Sequence, residues 1–222
     1  MDQEWQCCLL NRNLMSENLI IVFVKNITLG KVKTRLAKTI GDNAAFDVYK
    51  YLFNITQCES LKAKNCDLHV YFSDAIIDSA WPNTKKFIQS GKDLGERMMN
   101  AFEDEFTRGY KRIIGIGSDL PDLSAEIMES ALKALESNDT VFGPSEDGGY
   151  YLIGMRQSTP CAFKDKPWST SQLLKVTTKE LKKKGYSTTQ LLKLNDIDDI
   201  DDLKKSSISE VFQYLFELKN SH

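Results

Sequence analysis

The sequence predicts an α/β protein built on a mostly parallel central sheet, and three observations support that prediction. Short apolar runs alternate with helical stretches of roughly 10–15 residues, as βαβ units require. The 222 residues are 41% hydrophobic and 27% charged, enough to bury a core without a disulfide or metal staple. The 12 glycines and 5 prolines are scattered along the chain, which leaves no linker, repeat or low-complexity tract, so a single domain is expected over residues 15–222.

The elements follow in order. The fourteen residues MDQEWQCCLLNRNL show neither helical nor strand periodicity and are expected to be a disordered extension ahead of Met15. Leu19–Val24 is a continuous apolar run, the pattern of a buried strand. Phe46, Tyr49 and Phe53 recur at helical spacing. Asp67–Ser73 alternates Leu68, Val70 and Phe72 with polar partners, as a half-buried strand would. A helix near Leu94–Arg108 gathers Met98, Ala101, Phe102 and Phe106 on one face, and Arg112–Gly117 is the next strand. From about Ser124 a helix turns Ile127, Ala131, Leu132 and Leu135 inward. Strands near Thr140–Phe142 and Tyr150–Met155, a helix around Gln172–Lys183 and a strand at Thr189–Leu194 come next. A C-terminal helix is expected last, with Ser207 and Glu210 spaced as a capping box and Ile208, Val211, Phe212 and Leu215 buried.

Charge and composition exclude several functions. Twenty-nine Lys+Arg against 31 Asp+Glu leave a net charge of −2, without the broad positive field of a nucleic-acid binder. The longest apolar stretch, Leu19–Val24, is far short of the ~18 residues that suggest a membrane span. No basic region leads into an apolar one at the N-terminus, so a cytoplasmic location is expected. The 5 cysteines include no CxxC pair, as suits free thiols in a reducing compartment. With only His69 and His222 available, Ser-His-Asp, Cys-His and multi-His metal chemistry have almost nothing to use.

Ligands of such sheets sit at the carboxyl ends of the strands, and the polar motifs fall there. After the first strand, Lys25, Lys31, Lys33 and Arg35 surround Gly30, a loop that could wrap a di- or triphosphate or simply be solvated. It is not a Walker A loop, because Lys25 stands at that motif's first glycine and Val32 at its Ser/Thr. Ile113–Ile116 runs into Gly117-Ser118-Asp119-Leu120-Pro121. An acid there could hold a hard divalent cation or start a turn. Glu146-Asp147-Gly148-Gly149 joins two strands and is also an ordinary turn sequence. Asp196, Asp198, Asp199, Asp201 and Asp202 form an acidic run, either a solvated helix start or the source of a second metal carboxylate. Gly91 and Gly95 flank a helix start whose free N–H groups could meet a polar ligand. Lys182–Lys184 suits a helix C-terminus, and Trp168 is either a packed anchor or a ring that stacks on a ligand.

Taken in order, these segments resemble one family. The elements are Gly30-x-Val32-Lys33-Thr34-Arg35-Leu36-Ala37; Asp93-Leu94-Gly95-x-Arg97-Met98; Gly117-Ser118-Asp119-x-Pro121; Gly143-Pro144 with Asp147-Gly148-Gly149-Tyr150; and Asp196-Ile197-Asp198 with Asp202-Leu203. They are similar to the GT-A-fold nucleotide-diphospho-sugar transferase-like proteins, a former domain of unknown function often named glycosyltransferase. These are related to the molybdenum-cofactor and phospholactate guanylyltransferases. The resemblance implies a Rossmann-like GT-A fold, a three-layer α/β/α sandwich. It implies that Lys25, Lys33 and Arg35 neutralise nucleotide phosphates, that Asp93, Gly95 and Arg97 line the nucleoside pocket, and that Asp119 and Asp198 hold Mg²⁺ or Mn²⁺. Asp147 would face the transferred group or the acceptor, as a base.

Two departures stand out. Ile27 and Leu29 replace prolines usual in the basic loop, and Ser118-Asp119-x-Pro121 is closer to the nucleotidyltransferase form than to an acid-x-acid motif. The implied activity is metal-dependent transfer of a sugar from a nucleotide-diphospho-sugar to a small acceptor. Nucleotidyl transfer from an NTP with release of pyrophosphate is the alternative, and a non-catalytic nucleotide-binding module the third reading.

Overall fold

The computed structural model describes residues 16–217; the expectations for residues 1–14 and a start at Met15 lie outside the described residues. The elements are β1 (Asn18–Val24), α1 (Thr34–Ile40), α2 (Asp42–Lys62), β2 (Asp67–Phe72), β3 (Lys85–Ile88), α3 (Leu94–Thr107) and β4 (Arg112–Ile116). They continue with α4 (Ala125–Ala134), β5 (Thr140–Pro144), β6 (Tyr150–Met155), α5 (Leu173–Lys183), β7 (Thr188–Gln190), α6 (Ile200–Lys205) and α7 (Tyr214–Glu217). The strands form one sheet in the order β3-β2-β1-β4-β6-β5-β7. Only β6 runs against its neighbours, β4 and β5, while the other pairs are parallel. The expected mostly parallel α/β fold is therefore present.

Strand alternation builds the three layers. Ile20, Val22 and Val24 of β1 join Phe53, Ile114, Met128 and Leu132 on one face, under α2 and α4. Leu19 and Ile21 join Met98, Phe102, Ile153 and Leu181 on the other, under α3 and α5. Buried on both sides, β1 reads as an unbroken apolar run, and each of its fully buried aliphatic side chains contributes about 1.5–3 kcal/mol.

Three expectations need correction. First, β2 is not half-buried: His69 and Tyr71 on its polar face are 2% and 3% exposed. The buried Glu105 of α3 satisfies them, at 2.8 Å from His69 Nδ1 and 2.6 Å from the Tyr71 hydroxyl. Second, β3 is an added strand. It is only four residues long, begins with Lys85 and Lys86, and has the charged character of a sheet edge, so it carries no apolar alternation to read. Third, the C-terminal helix is broken. The capping box belongs to α6, where Asp199 caps and Asp202 reciprocates. The chain then passes through an extended Ser206 and a short 3₁₀ turn at Glu210–Phe212 before α7. Ile208, Phe212 and Leu215 are buried, but Val211 is 49% exposed.

That broken segment belongs to a third apolar cluster, in which Leu36 of α1, Val48 and Leu52 of α2, Ile197 and Leu203 pack with Ile208 and Phe212. Leu36 and Ile197 are fully buried there, which fixes their polar chain neighbours Arg35 and Asp198 at the rim. β1 pairs with β2 on one side and β4 on the other, so the chain reverses its winding at the β1–β4 boundary. The crevice at the carboxyl ends of these strands is where such folds bind ligands.

Candidate functional site

A cleft of about 590 Å³ opens at that boundary. The basic loop after β1 and the strand end after β4 form its two sides. Lys25, Lys33, Arg35 and Arg97 line it together with Asp119 and Asp198, so six residues singled out from the sequence converge on one cavity. Tyr49 of α2 sets the relation between the two loops. Its buried hydroxyl donates to the Lys25 carbonyl at 2.8 Å and lies 3.0 Å from Ser118 Oγ. Burial pushes the Tyr49 hydroxyl pKa up, so it stays neutral.

Two of the cleft's cations are paired with its acids. Lys33 Nζ is 3.1 Å from Asp119 Oδ2 and 3.9 Å from Asp198 Oδ1, while Arg35 Nη1 donates to Asp198 Oδ2 at 2.8 Å. Two carboxylates thus converge on one cation-sized position, and their hard oxygens suit Mg²⁺ or Mn²⁺ with phosphate and water completing the shell. Among the described residues no group of three or more His, Cys, Asp or Glu could hold a metal on its own, so a cation here would depend on ligands from outside the protein.

Asp196, one of five acids in the run after Leu194, also joins the site. The chain after β7 bridges Leu194 to Ser145, with Glu146 N–H donating to the Leu194 carbonyl at 3.1 Å. This brings Asp196 among the other acids. Burial, reinforced by the charges of Asp119 and Asp147, pushes its pKa up from 3.8 to about 7. Sequence spacing alone could not single it out of five acids.

Asp147 stands apart from the cation cleft, in an adjoining chamber of about 200 Å³ that also takes in Asp196, Tyr150 and Trp168. The two cavities share Phe23, Leu94 and Gly117 as a common wall. The Asp147 loop is held locally: Ser145 Oγ and the Gly149 N–H donate to Asp147 Oδ1 at 2.5 and 2.8 Å. Gly148 sits at φ +90°, where an added Cβ would come within 2.2 Å of the Ser171 carbonyl. No side chain fits there without moving the approach to α5.

Asp93 and Gly95 are not brought to the cleft. The Asp93 side chain caps α3, accepting from the Glu96 N–H at 2.9 Å. An added Cβ at Gly95 would lie 2.7 Å from Trp168 Nε1. Both border a separate depression beside Phe163 and Trp168. Asp93 thus caps a helix and Gly95 leaves room for a ring, and of that trio only Arg97 faces the cleft.

The fold and cleft together define a class: a Rossmann-like α/β protein whose sheet reverses winding beside clustered cations and paired carboxylates. Within it, the chain belongs to the family described as "Uncharacterized protein conserved in bacteria (DUF2064)", which matches residues 56–170. A crystal structure from Desulfovibrio desulfuricans G20, of a protein provisionally assigned as a nucleotide-diphospho-sugar transferase, is 31% identical. It superposes with a TM-score of 0.82 over 92% of this chain and 97% of that one. These matches agree with the resemblance carried by the motifs. More distant structures share the fold. The 4-diphosphocytidyl-2C-methyl-D-erythritol synthase of Anaerococcus prevotii DSM 20548 is 10% identical, with a TM-score of 0.57 over 90% and 97% of the two chains. A cytidylyltransferase from Leptospira borgpetersenii is 15% identical, with a TM-score of 0.51 over 91% and 93%. No curated protein matches the sequence.

Proposed function

We propose that the protein is a metal-dependent glycosyltransferase that moves a sugar from a nucleotide-diphospho-sugar to a small acceptor. The observation that carries this reading is the convergence of Lys25, Lys33, Arg35 and Arg97 with Asp119 and Asp198 in one cleft at the β1–β4 boundary. The assignment given to the 31% identical relative supports it.

Lys25, Lys33 and Arg35 bind the diphosphate through charge-assisted hydrogen bonds, and Arg97 lines the nucleotide's side of the cleft. Asp119 and Asp198 would hold Mg²⁺ or Mn²⁺, which supplies Lewis-acid stabilisation of the departing diphosphate when bound. Asp147, its Oδ1 held by Ser145 and Gly149, accepts the proton of the acceptor hydroxyl. The acceptor oxygen bonds to the anomeric carbon, the carbon–oxygen bond to the diphosphate breaks, and the nucleoside diphosphate leaves with that electron pair.

A second reading, nucleotidyl transfer, is favoured by one observation. Four cations line the cleft, enough to match a triphosphate, and an acceptor could attack its α-phosphorus with pyrophosphate leaving. The leaving group separates the two. Incubated with Mg²⁺ or Mn²⁺ and a panel of nucleotide sugars, the protein should slowly release a nucleoside diphosphate by hydrolysis, detected by mass spectrometry. Asp119→Asn should abolish that release with little change in melting temperature. Pyrophosphate from one triphosphate, with silence from every nucleotide sugar, would establish nucleotidyl transfer instead.

A further inference from the structure

The two adjoining cavities differ in charge. Every cation of the site lines the larger cleft, whereas among the described residues no Lys, Arg or His lines the smaller chamber, where Asp147 and Asp196 are the ionisable groups. Beside the aliphatic Met98, Ile116, Ile153 and Leu173, the wall carries aromatic and hydroxyl groups, Tyr150, Tyr151 and Trp168 with Ser145, Ser169 and Thr170. An anionic substituent placed there would face two acidic side chains with no compensating cation. A ring with apolar C–H faces and hydroxyl edges would find aromatic faces to lie on and carboxylates to accept its hydroxyl protons.

Two further details point to an occupant. Among the described residues the buried Tyr150 hydroxyl has no hydrogen-bond partner, a costly arrangement in a folded protein unless a ligand supplies the partner. The ring of Trp168, set edge-on to Tyr150 at 6.4 Å between centroids, can pack on α3 only because residue 95 has no side chain. The volume of about 200 Å³ equals the share of about seven waters at ~30 Å³ each, room for one substituted six-membered ring.

We infer that this chamber binds a single polyhydroxylated ring, a monosaccharide unit without phosphate or carboxylate, and that the Tyr150 hydroxyl selects it by hydrogen bonding. The exclusion of an anionic ring stands on the chamber alone. That this ring is the transferred sugar rests on the glycosyl-transfer reading, since a ligand with its phosphates in the cation cleft would reach the chamber across the shared wall of Phe23, Leu94 and Gly117.

The test is saturation-transfer NMR on the whole protein with glucose, galactose, mannose and N-acetylglucosamine, beside glucuronate as the anionic counterpart. At least one neutral sugar should bind. Tyr150→Phe should weaken it about fivefold while leaving the melting temperature equal or higher, because the hydroxyl it deletes has no partner in the protein. Trp168→Phe should weaken the same sugar. Absence of binding by every neutral sugar, binding indifferent to both variants, a tenfold preference for glucuronate, or a lower melting temperature for Tyr150→Phe would each overturn the inference. Calorimetry with nucleoside diphosphates reads the neighbouring cleft separately, so failure there refutes the glycosyl-transfer reading and leaves the sugar result to stand or fall by itself.

Discussion

The Lys33 ammonium lies 3.1 Å from Asp119 and 3.9 Å from Asp198, joining the strand end after β4 to the acidic run after β7. Its side chain is only 5% exposed, and its backbone sits in the left-handed region at φ 46°, which costs a non-glycine residue about 1–3 kcal/mol. The ammonium occupies the convergence point of the two carboxylates, so a divalent cation there must displace it, and the displaced lysine is then free to meet phosphate. Lys33→Met removes the competitor. In that variant Mn²⁺ alone should bind about tenfold more tightly, a change of ~1.4 kcal/mol, while nucleoside diphosphate binding weakens. Calorimetry of each ligand separately checks both directions; parallel losses would mean that Lys33 only holds the fold.

Arg35, in the first turn of the helix that Lys33 precedes, provides a comparison. Its side chain is 66% exposed and among the described residues reaches Asp198 alone, so its removal disturbs little of the fold. Charge-assisted contacts contribute about 1.5–3 kcal/mol, so Arg35→Ala should loosen nucleoside diphosphate binding by roughly tenfold or more and leave nucleoside binding nearly unchanged. Equal loss for both ligands in a titration would remove Arg35 from the phosphate site.

Much of this arrangement was legible in the sequence, and the parts that were not have physical causes. Leu19–Val24, the Ser118-Asp119 strand end and the Asp147 turn could be read because apolar periodicity stops abruptly at a polar residue. Asp93 and Gly95 are ambiguous in the sequence because a helix cap and a packing glycine have the same residue types as a ligand loop, and their neighbour Trp168 lies 73 residues after Gly95 in the chain. Asp196 was hidden among like residues, since its environment is made by the Asp147 loop pairing with Leu194. His69 and Tyr71 looked solvent-facing because their partner, Glu105, comes from a helix distant in sequence.

Asp196 should make stability fall with rising pH. Its pKa in the fold is about 7 against an ordinary 3.8, so between those values the folded chain keeps a proton that the unfolded chain has released. Stability on this account declines as pH rises from about 4 and is lost in full above about 7. Asp196→Asn removes the dependence. Melting temperatures at pH 5 and pH 8 should show the variant gaining on the parent protein at the higher value, whereas parallel profiles would show that Asp196 titrates normally.

Glu105 predicts the opposite slope. Its carboxylate is fully buried between α3 and β2, and burial alone would raise its pKa. The hydrogen bonds from His69 Nδ1 and the Tyr71 hydroxyl, together with Arg108 at 3.0 Å, outweigh that effect and hold the pKa below its ordinary 4.5. A depressed carboxyl contributes stability that is present above about pH 4.5 and lost as pH falls through the folded value. Glu105→Ala would leave Arg108 without its anion and the buried donors of His69 and Tyr71 without an acceptor. The expected cost is about 3–5 kcal/mol, or a melting point lowered by roughly 10 °C in a chain of this size. Tyr71→Phe takes away only one donor and should cost about 1 kcal/mol. Thermal unfolding of the parent protein from pH 7 to pH 3 should show a steep acid limb that Glu105→Gln flattens, because the amide carries no charge to lose. An acid limb of equal steepness in Glu105→Gln would move the source of acid sensitivity to the surface carboxylates.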